Sequence, residues 1–182
     1  MDIDGKLFFA PGFEFDRLLD ANDTQLMKAW LSRIEYYYIK PANILVNSGD
    51  PDFGFAAMLL SMSAIEAMAK VKFVADPGGT RSKFDLFAHI HLNVPNNFLK
   101  GSSGLYNIFR CGLAHEGRVK TTCSINLKGP AFGKNSRHFV SIGLKGLFTE
   151  HLNMDKIGSA FSERIDASKV RTVFADTLTL AA

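Results

Sequence analysis

Arg110 and His115 are the residues whose types and spacing point most directly to chemistry in this chain. They lie five positions apart in a stretch, Tyr106–Gly117, whose apolar residues recur at helical spacing. A histidine exchanges protons near neutral pH, and an arginine binds a phosphate through paired hydrogen bonds and stabilises charge that develops on it. Together they suit metal-free cleavage of a ribose–phosphate backbone, in which the 2′-hydroxyl is the nucleophile. The alternative is structural, with Arg110 in a salt bridge inside a helical bundle and His115 at the carboxyl end of its helix.

The spacing of the pair constrains how the two side chains reach one substrate. On an ideal α-helix, five positions of about 100° each place Arg110 and His115 about 140° apart. They converge only if the helix bends near Gly112, or if a second copy of the chain contributes its own pair across a two-fold axis. We therefore expect a homodimer with a composite site.

Glu66 is the residue expected to position Arg110. It lies in the middle of a long apolar helix predicted from Phe53 to about Ala75, where small and apolar residues surround it. A carboxylate in such a place requires a cation, and Arg110 is the first candidate. The alternatives are that Glu66 faces water or pairs with Lys70, one helical turn later.

The remaining sequence predicts a mainly α-helical protein with a single domain. Residues 1–22 are expected to be a loose N-terminal arm that docks through its aromatic rings, and residues 23–117 a helical core. A β-hairpin at about 119–145 and C-terminal helices at 150–180 follow. Within the core, the first helix has N-cap candidates at Asn22, Asp23 and Thr24 and runs to Pro41. Another begins near Thr80 or Ser82 and ends before Pro95.

Two stretches after Gly117 change from helical to strand periodicity. Residues 123–127 alternate between apolar and polar side chains, and so do residues 138–144. The pattern predicts an antiparallel hairpin with one face on the helical core.

The charge of the chain is unevenly distributed although its net value is only +3. Residues 1–52 contain nine acidic and five basic residues, whereas residues 105–145 contain seven basic residues and Glu116 as the one acid. Such asymmetry favours a polyanionic partner. The basic residues expected to contact RNA are Arg118, Lys120, Lys134 and Arg137.

Several common kinds of catalytic and metal site are excluded because the sequence motifs that they require are incomplete or missing. The pair His115-Glu116 begins like a zinc-protease motif, but Val119 stands where the second histidine ligand is required. There is no nucleophile elbow and no dinucleotide fingerprint, and the two cysteines lack metal-ligand spacing. We expect neither a metal nor a cofactor. The sequence has no signal-peptide pattern at its start and no uncharged run long enough to span a bilayer, so a cytoplasmic location without membrane contact is expected.

The helical body, roughly residues 24–116, resembles the HEPN superfamily (higher eukaryote and prokaryote nucleotide-binding domains). The resemblance is carried by Tyr106 and the Arg-x-x-x-x-His motif of Arg110 and His115, on a late helix that follows a long helix containing Glu66. It implies an HEPN-like helical bundle that is usually dimeric. In active members of the family the arginine and histidine line a cleft between two protomers and cleave RNA without a metal.

Several expectations follow from this resemblance. It assigns Arg110 and His115 as catalytic, with Glu66, Tyr106, Cys111 and Glu116 as supporting residues. It implies an endoribonuclease of a toxin–antitoxin or defence system, with RNA as substrate and a nucleotidyltransferase-like antitoxin as a further partner. Because some members of the family only bind nucleotides or proteins, the alternative is a non-catalytic binding module in which Arg110 is a structural ion pair.

Overall fold

The chain folds into a helical body that carries two small three-stranded sheets. A computed structural model describes residues 2–3, 6–18, 20–99, 104–116, 123–134 and 140–162. Six α-helices within these residues are α1 (Asp23–Ile34), α2 (Lys40–Asn47), α3 (Gly54–Lys72), α4 (Thr80–Ile90), α5 (Leu144–Gly146) and α6 (Met154–Ala160). Three further segments are π-helical, namely Glu35–Ile39, Tyr106–Glu116 and Leu147–His151. The mainly α-helical class predicted from the sequence is confirmed.

The N-terminal segment forms a sheet, so the prediction of a loose arm is wrong. Strands β1 (Asp2–Ile3), β2 (Lys6–Ala10) and β3 (Phe13–Glu14) form an antiparallel meander. Gly12, at φ 72°, provides the left-handed conformation of the β2–β3 turn. The expected docking by aromatic rings is present: the Phe9 ring packs edge-on against Phe15 at 5.6 Å and stacks near Trp30 at 6.4 Å between centroids.

The first long helical segment was predicted to end at Pro41, but it continues past this residue. A π-helical turn interrupts it before Pro41. α1 begins with a capping box, in which the Asn22 side chain accepts from the Gln25 N–H and the Gln25 side chain accepts from the Asn22 N–H. The π-helical turn Glu35–Ile39 then leads directly into α2, and Pro41 lies in the first turn of α2. A proline is tolerated there because its missing N–H falls where helical hydrogen bonding is changing register.

Helix α3 is the centre of the fold. It packs against α2, α4 and Tyr106–Glu116, and its inner face includes the fully buried side chains of Met58, Met62, Ile65 and Met68. By length and composition alone, Pro51–Lys72 would be long enough to cross a membrane (mean hydropathy 1.4), but 61% of it is buried inside this fold, as in a core helix. Phe53, the residue before α3, makes no side-chain capping hydrogen bond; Asp50 caps the short 3₁₀ turn Pro51–Phe53 that precedes α3, by accepting from the Asp52 N–H.

The predicted β-hairpin is wrong, because the two stretches pair in parallel. Strand β4 (Cys123–Asn126) runs parallel to β6 (Val140–Gly143), with Ile125 opposite Ile142. A third strand, β5 (Phe132–Lys134), lies antiparallel to β6 on its other side, which gives the order β4-β6-β5. The expected contact with the helical core is confirmed by Ile142, which is fully buried.

The C-terminal helices are confirmed in part. After β6 the chain forms α5, the π-helical turn Leu147–His151 and α6, whose Ile157 is fully buried. The Asn153 side chain caps α6 by accepting from the Lys156 N–H. The predicted continuation of these helices from residue 163 to residue 180 lies outside the described residues.

Candidate active site

The segment that carries the Arg-x-x-x-x-His motif is a π-helix over its whole length, Tyr106–Glu116, which we name the Arg–His helix. Its buried residues, Ile108, Phe109, Gly112 and Leu113, face α3 and α4. The sequence pattern had predicted an α-helix here. π-Helical turns are rare and occur often at functional sites.

The wider helix changes the geometry expected for Arg110 and His115. In a π-helix the hydrogen bonds run from residue i to residue i+5, so that one turn takes about 4.4 residues and five positions leave two side chains about 50° apart. The separation of about 140° was calculated for an α-helix, which this segment is not. On ideal π-helical geometry Arg110 and His115 are about one turn apart, and their directions converge without a bend at Gly112.

Arg110 is held by Glu66, as the sequence predicted. The Arg110 Nε donates to Glu66 Oε2 at 2.5 Å, and Lys70 Nζ lies 2.7 Å from Glu66 Oε1. Both proposed cations of Glu66 are thus engaged at once, one on each carboxylate oxygen. The Glu66 side chain is 11% exposed, that of Arg110 22% and that of Lys70 47%, so the cluster leads from the core to the surface.

The two cations set the protonation of Glu66. Burial acts to raise the pKa of its carboxyl group, but the hydrogen bond and charge of Lys70, together with the charge of Arg110, outweigh burial and lower the pKa below its usual value. Glu66 is therefore a carboxylate at neutral pH, able to fix the guanidinium of Arg110 in one orientation.

His115 lies at the exposed end of the Arg–His helix, beside the exposed Ala114 and Glu116. The imidazole of His115 is exposed to solvent. Arg110 and Glu66 are in contact, and among the described residues no hydrogen bond joins His115 to either of them.

The expected supporting residues of the Arg–His helix differ in their burial, since Tyr106 and Cys111 are half-buried and Glu116 is exposed. Tyr106 is half-buried, with its ring edge-on to Phe84 at 5.1 Å. Burial, the charge of Glu66 and the proximity of Cys111 raise the pKa of the Tyr106 hydroxyl, whereas Arg110 lowers it more weakly. Tyr106 therefore remains protonated and able to donate a hydrogen bond. Cys111 is a half-buried free thiol.

The basic residues expected to steer RNA fall mostly outside the described residues. Arg118, Lys120 and Arg137 lie there, and Lys134 is the last residue of β5. The basic residues that line a surface cleft together with Arg110 are Lys70 and Arg33. The sequence interpretation treated Lys70 only as an alternative partner of Glu66 and missed Arg33. Arg33 could have been found from its position in the sequence, because it lies three positions after Trp30 and therefore on the same, buried side of α1.

In the described part of the chain, no three His, Cys, Asp or Glu side chains are grouped as metal ligands. Comparison of the chain with protein-family models, with curated proteins and with solved structures finds no match in any of the three.

Proposed function

We propose that this protein is an HEPN-like, metal-independent endoribonuclease of a toxin–antitoxin or defence type, in which Arg110 and His115 act on the RNA backbone. The observation that carries the proposal is that the buried carboxylate of Glu66 fixes Arg110 through Nε, on the same π-helix that carries the exposed His115. Fixing Nε leaves the terminal guanidinium nitrogens to meet a phosphate.

The proposed reaction is an internal transfer at phosphorus. The 2′-oxygen of the substrate forms a bond to phosphorus as the bond from phosphorus to the 5′-oxygen breaks, which gives a 2′,3′-cyclic phosphate and a 5′-hydroxyl. The 2′-hydroxyl loses its proton to an imidazole, and the leaving 5′-oxygen gains one from an imidazolium. Arg110 stabilises the negative charge that accumulates on the phosphoryl oxygens.

A homodimer supplies two imidazoles for these two proton transfers. With His115 from each protomer near one phosphate, one ring is the base and the other the acid. The dimer is proposed on this chemical ground and on the family resemblance. The same resemblance suggests a nucleotidyltransferase-like antitoxin as the regulatory partner.

The test is cleavage of single-stranded RNA by the purified protein in the presence of a metal chelator. We expect cleavage to persist without metal, to stop when the substrate has 2′-deoxyribose, and to fall about 10²–10⁴-fold in His115→Ala and about 10²–10³-fold in Arg110→Met. Matched controls are His89→Ala and Arg17→Met, the same two changes at other exposed positions. Undiminished cleavage by His115→Ala refutes the proposal, and since His115 is exposed this variant keeps its fold.

A second candidate function is a non-catalytic module in which Arg110 is purely structural. It is favoured by the short contact between Arg110 and Glu66 in a largely buried setting. This alternative predicts that the wild-type protein leaves RNA intact, whereas a lower melting temperature of Arg110→Met is expected under both functions. Cleavage of RNA by the wild-type protein therefore separates the two functions, and thermal melts of Arg110→Met and His115→Ala show whether a loss of cleavage is a loss of fold.

A further inference from the structure

A groove of about 490 Å³ lies between α1 and the turns that precede it in the chain. We name it the α1 groove, and the lining side chains that matter for binding are Phe13, Arg17, Asp20, Ala21, Lys28 and Ala29. Its volume falls within the roughly 300–1,000 Å³ that small-molecule sites occupy. None of its lining residues lines the cleft beside Arg110, so a ligand of the α1 groove would bind at a separate place.

The floor of the α1 groove is apolar. Ala21 and Ala29 are each 5% exposed, and the half-buried Phe13 lines the groove with them. Gln25, Ala29 and Ser32 follow one another at spacings of four and three residues in α1, so these lining side chains lie on one face of the helix. Because the alanine side chains are small, this face is recessed, and an aliphatic group of a ligand can leave water against it.

Charges of both signs line the α1 groove. Arg17, Asp20 and Lys28 are all exposed, which gives two cations and one carboxylate. Within the described part of the chain, none of these three side chains forms a salt bridge or a side-chain hydrogen bond. The nearby Glu14 carboxylate does not compete for Arg17, because it already accepts a hydrogen bond from Lys6 at 2.9 Å. The three charges are therefore available to a ligand.

This combination of charges and apolar floor suits a small zwitterion that has an aliphatic part. The guanidinium of Arg17 can bind a carboxylate through paired N–H donors, and the ammonium group of Lys28 adds a second positive charge. The Asp20 carboxylate attracts an ammonium group. A ligand with only an anionic group would be repelled by Asp20, and one with only a cationic group would be repelled by Arg17 and Lys28. A ligand that carries both groups is attracted at each of them.

We infer that the α1 groove binds an apolar α-amino acid, either free or as a short peptide. Its carboxylate is bound by Arg17 and Lys28 and its ammonium group by Asp20, while its aliphatic side chain lies on the apolar floor. The free amino acid and the peptide share this chemistry and differ in the distance between their two charged groups. The inference goes beyond the proposed nuclease, because it requires no residue of the Arg–His helix.

The test is a calorimetric titration of the full chain with leucine and with three analogues that each lack one of its groups. Leucinamide lacks the carboxylate, isocaproate lacks the ammonium group, and glycine lacks the aliphatic side chain. We expect leucine to bind at least about tenfold more tightly than each analogue, because each analogue loses one ion pair or the apolar contact. Leucyl-leucine, titrated in the same way, distinguishes the two sources: binding tighter than that of leucine identifies a peptide, and weaker binding identifies a free amino acid.

Two substitutions, each with a matched control, locate the ligand. Lys28→Met removes one cation of the groove and should weaken leucine binding about tenfold. Asp20→Asn keeps the shape of the side chain but removes its charge, and should weaken leucine about tenfold while isocaproate binds no more weakly. Lys128→Met and Asp155→Asn make the same changes at exposed positions outside the groove, and should bind leucine as the wild type does. All four positions are exposed, so every variant should retain its fold.

The outcomes separate this inference from the proposed function. Arg17→Met should bind leucine about tenfold more weakly and cleave RNA as the wild type does, whereas His115→Ala should bind leucine normally and lose cleavage. Absence of leucine binding at millimolar concentration, leucine binding no tighter than that of isocaproate, or equal affinities of Lys28→Met and Lys128→Met overturns the inference even if RNA is cleaved. Leucine binding without RNA cleavage supports the groove and removes the nuclease.

Discussion

The Nε atom of Arg110 donates a hydrogen bond to Oε2 of Glu66 at 2.5 Å, which joins the Arg–His helix to α3 through two residues that are 44 positions apart in the sequence. Lys70 engages the other oxygen of the same carboxylate. Glu66 therefore has two cationic partners, and it stays paired with one of them if the other is removed.

This double pairing predicts non-additive losses of stability. Arg110→Met should cost about 1–3 kcal/mol, and Lys70→Met less, about 0.5 kcal/mol, because its ion pair is half exposed. The double variant strands Glu66, so its loss should exceed the sum of the single losses by about 1 kcal/mol or more. Urea unfolding of the four proteins measures the cycle. Simple addition would show that Lys70 does not compensate for the loss of Arg110.

The lowered pKa of Glu66 predicts how stability depends on pH. Because its pKa is lower in the folded than in the unfolded protein, its stabilisation is fully present above a pH of about 4.5 and is lost as the pH falls through the folded-state pKa. Glu66→Gln should lack this part of the acid-induced loss. Unfolding free energies between pH 3 and 6 measure the difference, and identical acid dependence in the two proteins would contradict it.

The close approach of residues 129–131 to the end of β6 predicts that two glycines differ in their tolerance of alanine. A Cβ atom on Gly143 would collide with the carbonyl oxygens of Pro130 and Gly129, the latter at 2.6 Å, and backbone atoms cannot rotate away. Gly143→Ala should therefore destabilise the fold by about 1–3 kcal/mol.

Gly158 is the matched control for this substitution. It lies in α6, and a Cβ atom there meets nothing within 4 Å, so Gly158→Ala should stabilise by up to about 1 kcal/mol. Thermal melts of the two variants measure the difference. Equal melting temperatures would mean that the segment 129–131 does not hold its place against β6.

Cys123 should react slowly with alkylating reagents. Burial raises the pKa of its thiol from 9.0 to about 11, which lowers the thiolate fraction at pH 8 about a hundredfold. In a Cys111→Ala background, modification of Cys123 by iodoacetamide, followed by mass spectrometry, should be about a hundredfold slower than in the urea-unfolded chain. Comparable rates would show that the strand does not bury the thiol.

The sequence predicted the parts of this structure that depend on local signals or on the cost of a buried charge. The Asn22 cap, the long helix α3 and the partnership of Glu66 with Arg110 follow from short-range hydrogen bonding, apolar periodicity and electrostatics. Each of these is decided by residue types within a few positions or by one unavoidable pairing.

Two features could not be predicted in this way. Apolar spacing does not distinguish a π-helix from an α-helix over 11 residues, because the few buried positions fit either period. The direction of β4 relative to β6 depends on β5, a strand of three residues after a Gly-Pro turn, which is too short to give an alternating pattern. Both were set by packing against distant elements.

The π-helical hydrogen bonding of the Arg–His helix determines how many residues must separate Arg110 from His115 for their side chains to point in similar directions. Since positions i and i+5 of a π-helix are offset by about the same angle as positions i and i+4 of an α-helix, an arginine and a histidine separated by three residues on ordinary helical backbone would occupy equivalent directions. In this chain four residues intervene, and the π-helical backbone gives that spacing the alignment that three intervening residues would have on an α-helix.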